Sequence, residues 1–130
     1  MSITLNAARQ ELLVAHVDIN LADVTTAVDQ VAIKMPSQYV IVSGQSYTTE
    51  AWNSTSTDVL DVGDAGSQNR YLDNGDIRAL AALVALVPTG VVGSGNITVR
   101  WTSGGGTPTT GKLRLAIHYY IPGRSETTYG

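Results

Sequence analysis

The sequence contains no cysteine and no phenylalanine, and only two of its 130 residues, Lys34 and Lys112, are lysine. Without cysteine there are no disulfides, no thiolate metal ligands and no cysteine nucleophile, which fits a chain that folds in a reducing compartment. Eight Lys and Arg stand against eleven Asp and Glu, a net charge of −3 with no basic block. The counterion-release drive behind nucleic-acid binding is therefore missing, and no nucleic-acid partner is expected. Charged residues make up 15% of the chain. Such a surface is short of the charges that keep a solitary protein soluble and suits one covered by neighbours. The longest apolar run, Ala79 to Val87, has nine residues, against the roughly 20 that a membrane-spanning helix needs. No membrane partner is expected. The start, MSITLNAARQ, lacks a basic stretch, an apolar stretch and a small-residue cleavage site in that order, so it does not read as a secretory signal.

What is present is period-two alternation. In KLRLAIHYYI, Leu113, Leu115, Ile117, Tyr119 and Ile121 share one parity, and Lys112, Arg114, Ala116, His118 and Tyr120 the other. This is the pattern of a half-buried strand. NITVRWT repeats it with Ile97, Val99 and Trp101, and the glycine-rich SGGGTPTTG between the two segments predicts a mobile loop closing a long hairpin. Leu13, Ala15, Val17 and Ile19 alternate in ELLVAHVDIN, and Val31, Ile33 and Met35 in QVAIKMP, where Pro36 ends the strand. QYVIVSGQSY reads as a buried strand with a bulge or bend at Gly44. TDVLDVG is a shorter candidate. DIRALAALVALV predicts a short helix or irregular segment over 77–82 and then a strand to Val87.

Seven or eight short strands with turn residues between them, and no helical layer, predict an all-β, single-domain antiparallel β-sandwich. It should be jelly-roll-like, with little helix. The domain spans 1–130, with an N-terminal arm at 1–9 and a C-terminal tail at 122–130.

Chemistry is hardest to dismiss in TDVLDVGDAGSQNRYLDNGD, residues 57–76, where Asp58, Asp61, Asp64, Asp73 and Asp76 crowd together with Gly63, Gly66 and Gly75. A calcium hand needs acidic or amide groups at alternate loop positions, a central glycine and a closing glutamate, and that order is not met. Asp58 and Asp61 have opposite strand parity and point to different faces. The expected reading is solvated turn aspartates in a long loop, with Arg70 paired to one of them. No carboxylate pair is marked as a glycosidase would require. His16 and His118 lack ligands at metal spacing, and His118 falls on the polar parity as an exposed or interface residue. No Gly-x-Ser-x-Gly elbow, Walker loop or dinucleotide fingerprint occurs. The expectation is no enzyme, no cofactor and no metal. Of the aromatics, Trp101 and Tyr119 share parity with aliphatic neighbours and read as core, whereas Tyr47, Trp52 and Tyr120 read as surface. These three would form the platform of a carbohydrate-binding module if one existed.

The run from Asp58-Val59-Leu60-Asp61-Val62-Gly63-Asp64 through Arg70-Tyr71, then TSGGGTPTTG leading into a strand with paired tyrosines and the ending Pro122-Gly123-Arg124, resembles small virion structural proteins of tailed bacteriophages. The resemblance covers about residues 45 to 124 and is nearest in type to capsid decoration, or cement, proteins. It implies a non-enzymatic protein assembled in the host cytoplasm and carried on the capsid surface of the virion. Its partners would be the major capsid protein and further copies of itself, as a dimer or trimer. Tyr47, Trp52, Arg70, Tyr71, His118, Tyr120 and Arg124 are the candidate contact residues. A head-tail connector, a tail component or the carbohydrate-binding module of a receptor-binding fibre are the competing readings.

Overall fold

The computed structural model describes residues 12–122; the arm at 1–9 and the tail beyond Pro122, Arg124 included, lie outside the described residues. Among the described residues nine strands form: β1 (Leu13–Asn20), β2 (Val28–Ile33), β3 (Tyr39–Glu50), β4 (Asp58–Asp64), β5 (Ser67–Asp76), β6 (Leu83–Ala85), β7 (Val92–Gly93), β8 (Ile97–Ser103) and β9 (Lys112–Tyr120). A single 3-10 turn, Leu21–Asp23, joins β1 to the segment before β2. There the Asn20 N–H donates to Asp23 Oδ2 across 2.9 Å.

Pairing is antiparallel throughout and nested. β1 pairs with β9, β2 with β8, β3 with β7 and β6, and β4 with β5. The chain is thus one long hairpin with its apex at Ala65–Gly66, and rolling it up adds the pairs β3–β9 and β4–β8. Two sheets result, β1-β9-β3-β6 with β7 beside β6 on the same edge of β3, and β2-β8-β4-β5. This is the strand order of an eight-stranded jelly roll, with β7 as an addition, and the expected sandwich is the one found.

The core lies between the sheets. From β9, Leu113, Leu115 and Ile117 are fully buried, as their alternation predicts, and they face Ile97, Val99 and Trp101 of β8 and Leu60 and Val62 of β4. Each such side chain contributes about 1.5–3 kcal/mol by leaving water. Leu13, Ala15, Val17 and Ile19 of β1 sit on the same side, and their odd-even alternation is visible in the burial of the whole strand.

Four expectations need correction. β8 and β9 are not a hairpin: they belong to opposite sheets, and residues 104–111 cross from one to the other. Nor does that crossing hang free. Asn53 Oδ1 accepts from the Thr109 and Thr110 N–H groups at 2.8 and 3.0 Å, Gly104 N–H donates to the Thr57 carbonyl at 2.7 Å, and Thr55 N–H donates to the Gly105 carbonyl at 2.9 Å. In β2 a register shift between Val31 and Ile33 reverses the phase. Val31 therefore points to solvent, while Ala32, Ile33 and Met35 pack on the core. Finally, the aspartate-rich stretch is two strands joined by a two-residue turn, with Ser67–Asp76 forming β5 where a long loop was expected. The segment over 77–82 is irregular, as expected, and the strand that follows it is β6.

Candidate functional site: the carboxylates of one strand

On β4, Asp58, Leu60, Val62 and Asp64 share the parity that faces the core, and Asp61 faces the other way. The opposite orientation of Asp58 and Asp61 is as the spacing predicts, but none of the three is solvated. Asp58 is fully buried, Asp64 3% exposed and Asp61 7% exposed. Burying a carboxylate is costly unless it is paired and hydrogen-bonded; Asp58 and Asp64 are both, and Asp61 is hydrogen-bonded.

Asp58 Oδ1 accepts from Ser54 Oγ at 2.5 Å and from the indole Nε1 of Trp101 at 3.0 Å, while Oδ2 accepts from the Ser54 N–H at 3.2 Å and Arg78 Nη1 at 2.9 Å. Ser103 Oγ extends the network by donating to Ser54 Oγ at 2.8 Å. Asp64 Oδ1 accepts the Gly66 and Ser67 N–H groups at 2.9 and 3.2 Å, so this side chain shapes the β4–β5 turn. Arg70 Nε lies 3.0 Å from Asp64 Oδ2, the pairing expected for that arginine, and Tyr71 Oη donates to the same oxygen at 3.1 Å. Asp61 Oδ1 accepts the Asn74 N–H at 2.7 Å. That bond holds Asn74 at φ 55° in the left-handed region, which asparagine tolerates better than most residues.

Electrostatics around Asp64 reach two tyrosines. Burial, reinforced by the Asp64 charge and opposed by Arg70, pushes the Tyr39 hydroxyl from its ordinary 10 up to about 12. Burial pushes Tyr71 up further, with the Asp64 charge and its hydrogen bond acting in the same direction. Tyr39 Oη donates to the Gly95 carbonyl at 3.0 Å.

The two inward carboxylates are six residues apart along an extended strand, roughly 20 Å at about 3.3 Å per residue. Paired carboxylates of glycoside hydrolysis sit about 5–10 Å apart. Asp58 and Asp64 therefore close the two rims of the sandwich, and every described oxygen contact they make goes to a donor of the chain itself. Among the described residues, no group of three or more His, Asp and Glu side chains comes together as metal ligands. The cleft between β1 and β2, lined by Val17, Ile19, Val24 and Val31, holds about 140 Å³, below the roughly 300 Å³ at which small-molecule sites begin.

The candidate contact residues separate into two groups. Tyr47 and Tyr120 are exposed on the outer face of the β1-β9-β3-β6 sheet, where His118 joins them with Nδ1 3.0 Å from Ser43 Oγ. Trp52 and Tyr71 are buried, 2% and 1% exposed, and cannot offer a surface to anything. The Trp52 ring lies against Trp101, centroids 5.4 Å apart, and over Gly111. With Trp52 inside, the three-aromatic carbohydrate platform does not exist. Arg70 is committed to Asp64. The reading from sequence passed over Asn53, whose role depends on a loop more than fifty residues away, and it passed over the edge formed by residues 79–92. A signal for that edge was present: no charged residue and no histidine occurs between Arg78 and Arg100.

No protein-family model matches the sequence, and no significant match occurs among curated proteins. Solved structures do match in fold. A chain of the capsid asymmetric unit of cyanophage Pam1 superposes with a TM-score of 0.69 at 20% identity, over 92% of this chain and 94% of that one. A chain of the capsid of Ralstonia phage GP4 gives 0.60 at 16% identity, over 96% and 92%. The jelly roll described above is thus the whole-chain fold of proteins found in two phage capsids.

Proposed function

We propose that the chain is a structural component of a tailed-phage head, a decoration protein that binds the outer surface of the major capsid protein lattice as a homo-oligomer and stabilises the shell. The observation that carries this reading is the likeness over more than nine-tenths of the chain to chains of two phage capsid structures. The interior chemistry agrees with it. The acidic residues that could have served a reaction are buried and engaged with Ser54, Arg70, Tyr71, Asn74, Arg78 and Trp101, so they hold the fold together. What remains outside is a lightly charged surface with large apolar side chains, suited to association. A lattice repeats each contact, so modest single affinities add up to firm attachment.

Cosedimentation with expanded, undecorated capsids tests the reading. The chain is expected to pellet with capsids at micromolar concentration, saturating at a fixed ratio to the major capsid protein. A chain that stays in the supernatant would contradict the proposal, and saturation at about a dozen copies or fewer would point to a connector.

A further inference from the structure

On one side of the sandwich both sheets end in an open edge. Among the described residues β1 pairs only with β9 and β2 only with β8, so each leaves a row of backbone N–H and C=O groups without a strand partner. The cleft of about 140 Å³ lies between these two edges, walled by Val17 and Ile19 of β1 and Val31 and Ala32 of β2, with Val99 of β8 beneath. An extended segment fits such a place, because its backbone can add to a strand edge while alternate side chains enter the cleft.

Charge narrows the choice. Asp18 and Asp29 are engaged by Arg114 and Arg100. Asp23, which also lines the cleft, accepts the Asn20 N–H but has no ion-pair partner among the described residues. The occupant should therefore alternate apolar side chains and bring a cation. Residues 1–11, outside the described residues, hold that pattern: Ile3, Leu5 and Ala7 share one parity, and Arg9, the one Lys or Arg of the segment, continues it.

Reach decides whose segment it is. Residues 1–11 join β1 at Leu12, whereas the Asp23 carboxylate lies against Asn20 at the far end of that strand, roughly 26 Å away at about 3.3 Å per residue. The backbone from Leu12 back to Arg9 spans only about 10 Å, so Arg9 cannot meet Asp23 of its own chain. We infer that the N-terminal arm of a second copy lies in the cleft between β1 and β2, with Ile3 and Leu5 against its apolar walls and Arg9 beside Asp23. This deepens the homo-oligomer within the proposed function and does not depend on the capsid partner.

Because the chain has no cysteine, disulfide trapping tests the contact cleanly. Full-length Leu5→Cys chains are mixed at micromolar concentration, under a mild oxidant, with Val31→Cys chains or with Val87→Cys chains. Val31 is 57% exposed at the cleft and Val87 64% exposed near the opposite edge of the sandwich, and mixed dimers are measured on non-reducing gels. The Leu5–Val31 pairing is expected to exceed the Leu5–Val87 pairing at least about tenfold, since docking raises the local thiol concentration, and adding Arg9→Glu to the Leu5→Cys chain should lower it several-fold. Equal yields for the two pairings, no mixed dimer, or an Arg9→Glu chain that cross-links undiminished overturns the inference. A chain carrying both Leu5→Cys and Val31→Cys that closes on itself as a monomer also overturns it, by giving the cleft to its own arm. Capsid cosedimentation of the parent chain is read separately, so the shell reading can stand where this contact fails.

Discussion

The indole N–H of Trp101 on β8 donates to the buried carboxylate of Asp58 on β4 across 3.0 Å, directly behind the register pair Leu60–Trp101. Three chain segments converge on Asp58: Ser54 just ahead of β4, Arg78, and β8 through Trp101 and, by way of Ser54, Ser103. Replacing Asp58 by alanine leaves an indole N–H and a serine hydroxyl without their acceptor. Because Arg78 is 36% exposed and recovers water, the expected loss is about 2–4 kcal/mol, read from the urea midpoint. Asp58→Asn keeps an acceptor for Trp101 and should lose less.

Tyr39 and Tyr71 give the fold an alkaline limit. Both hydroxyls hold their protons more tightly folded than unfolded, Tyr39 up to about 12 against an ordinary 10. Above pH 10 the unfolded chain releases these protons first, so unfolding is favoured as pH rises. Stability is expected to be flat in this respect below about pH 10 and to fall towards pH 12. Tyr71→Phe should cost about 1–2 kcal/mol at neutral pH through its lost bond to Asp64, and should make the alkaline decline shallower. Urea midpoints measured from pH 8 upward test both statements.

Gly111 is required for space. A Cβ there would lie 2.5 Å from Trp52 Cδ2 and Cε3, so Gly111→Ala must displace a fully packed indole. Overpacking of this kind costs about 1–3 kcal/mol. Tryptophan fluorescence and near-ultraviolet circular dichroism should change with it, because Trp52 and Trp101 are in contact.

Asn53 fastens the 104–111 crossing. Asn53→Ala removes the acceptor of the Thr109 and Thr110 N–H groups and the donor to Thr109 Oγ1. These groups are exposed and regain water, so the loss in stability should be small, about 1 kcal/mol. The rate of limited proteolysis within 104–110 should rise several-fold. An unchanged cleavage rate would mean that the glycine-rich crossing is held by its other bonds alone.

Alternation made the strands legible, and so the sandwich. Leu113, Leu115 and Ile117 could be placed inside from their spacing alone, because period two reports which face a residue takes. It does not report which strand lies alongside. The β8–β9 hairpin was therefore the natural expectation and the nested pairing was not, since that pairing depends on how the whole chain rolls up. Val31 failed for a local reason, a bulge that reverses phase. The aspartates failed for a non-local one: composition marks them as turn residues, and only Trp101, forty-three positions from Asp58, reveals that one of them belongs in the core. Trp52 lies in a segment without alternation, so nothing around it indicated its side. The resemblance to virion proteins, drawn from residues 45–124, agrees with the fold that the phage capsid chains share.

Electron cryomicroscopy of the intact particle tests the central claim most directly. Jelly-roll density fitting residues 12–122 is expected on the outer surface of the shell, repeated with the capsid lattice. Density confined to the tail or its vertex, or a shell that carries none, would contradict it.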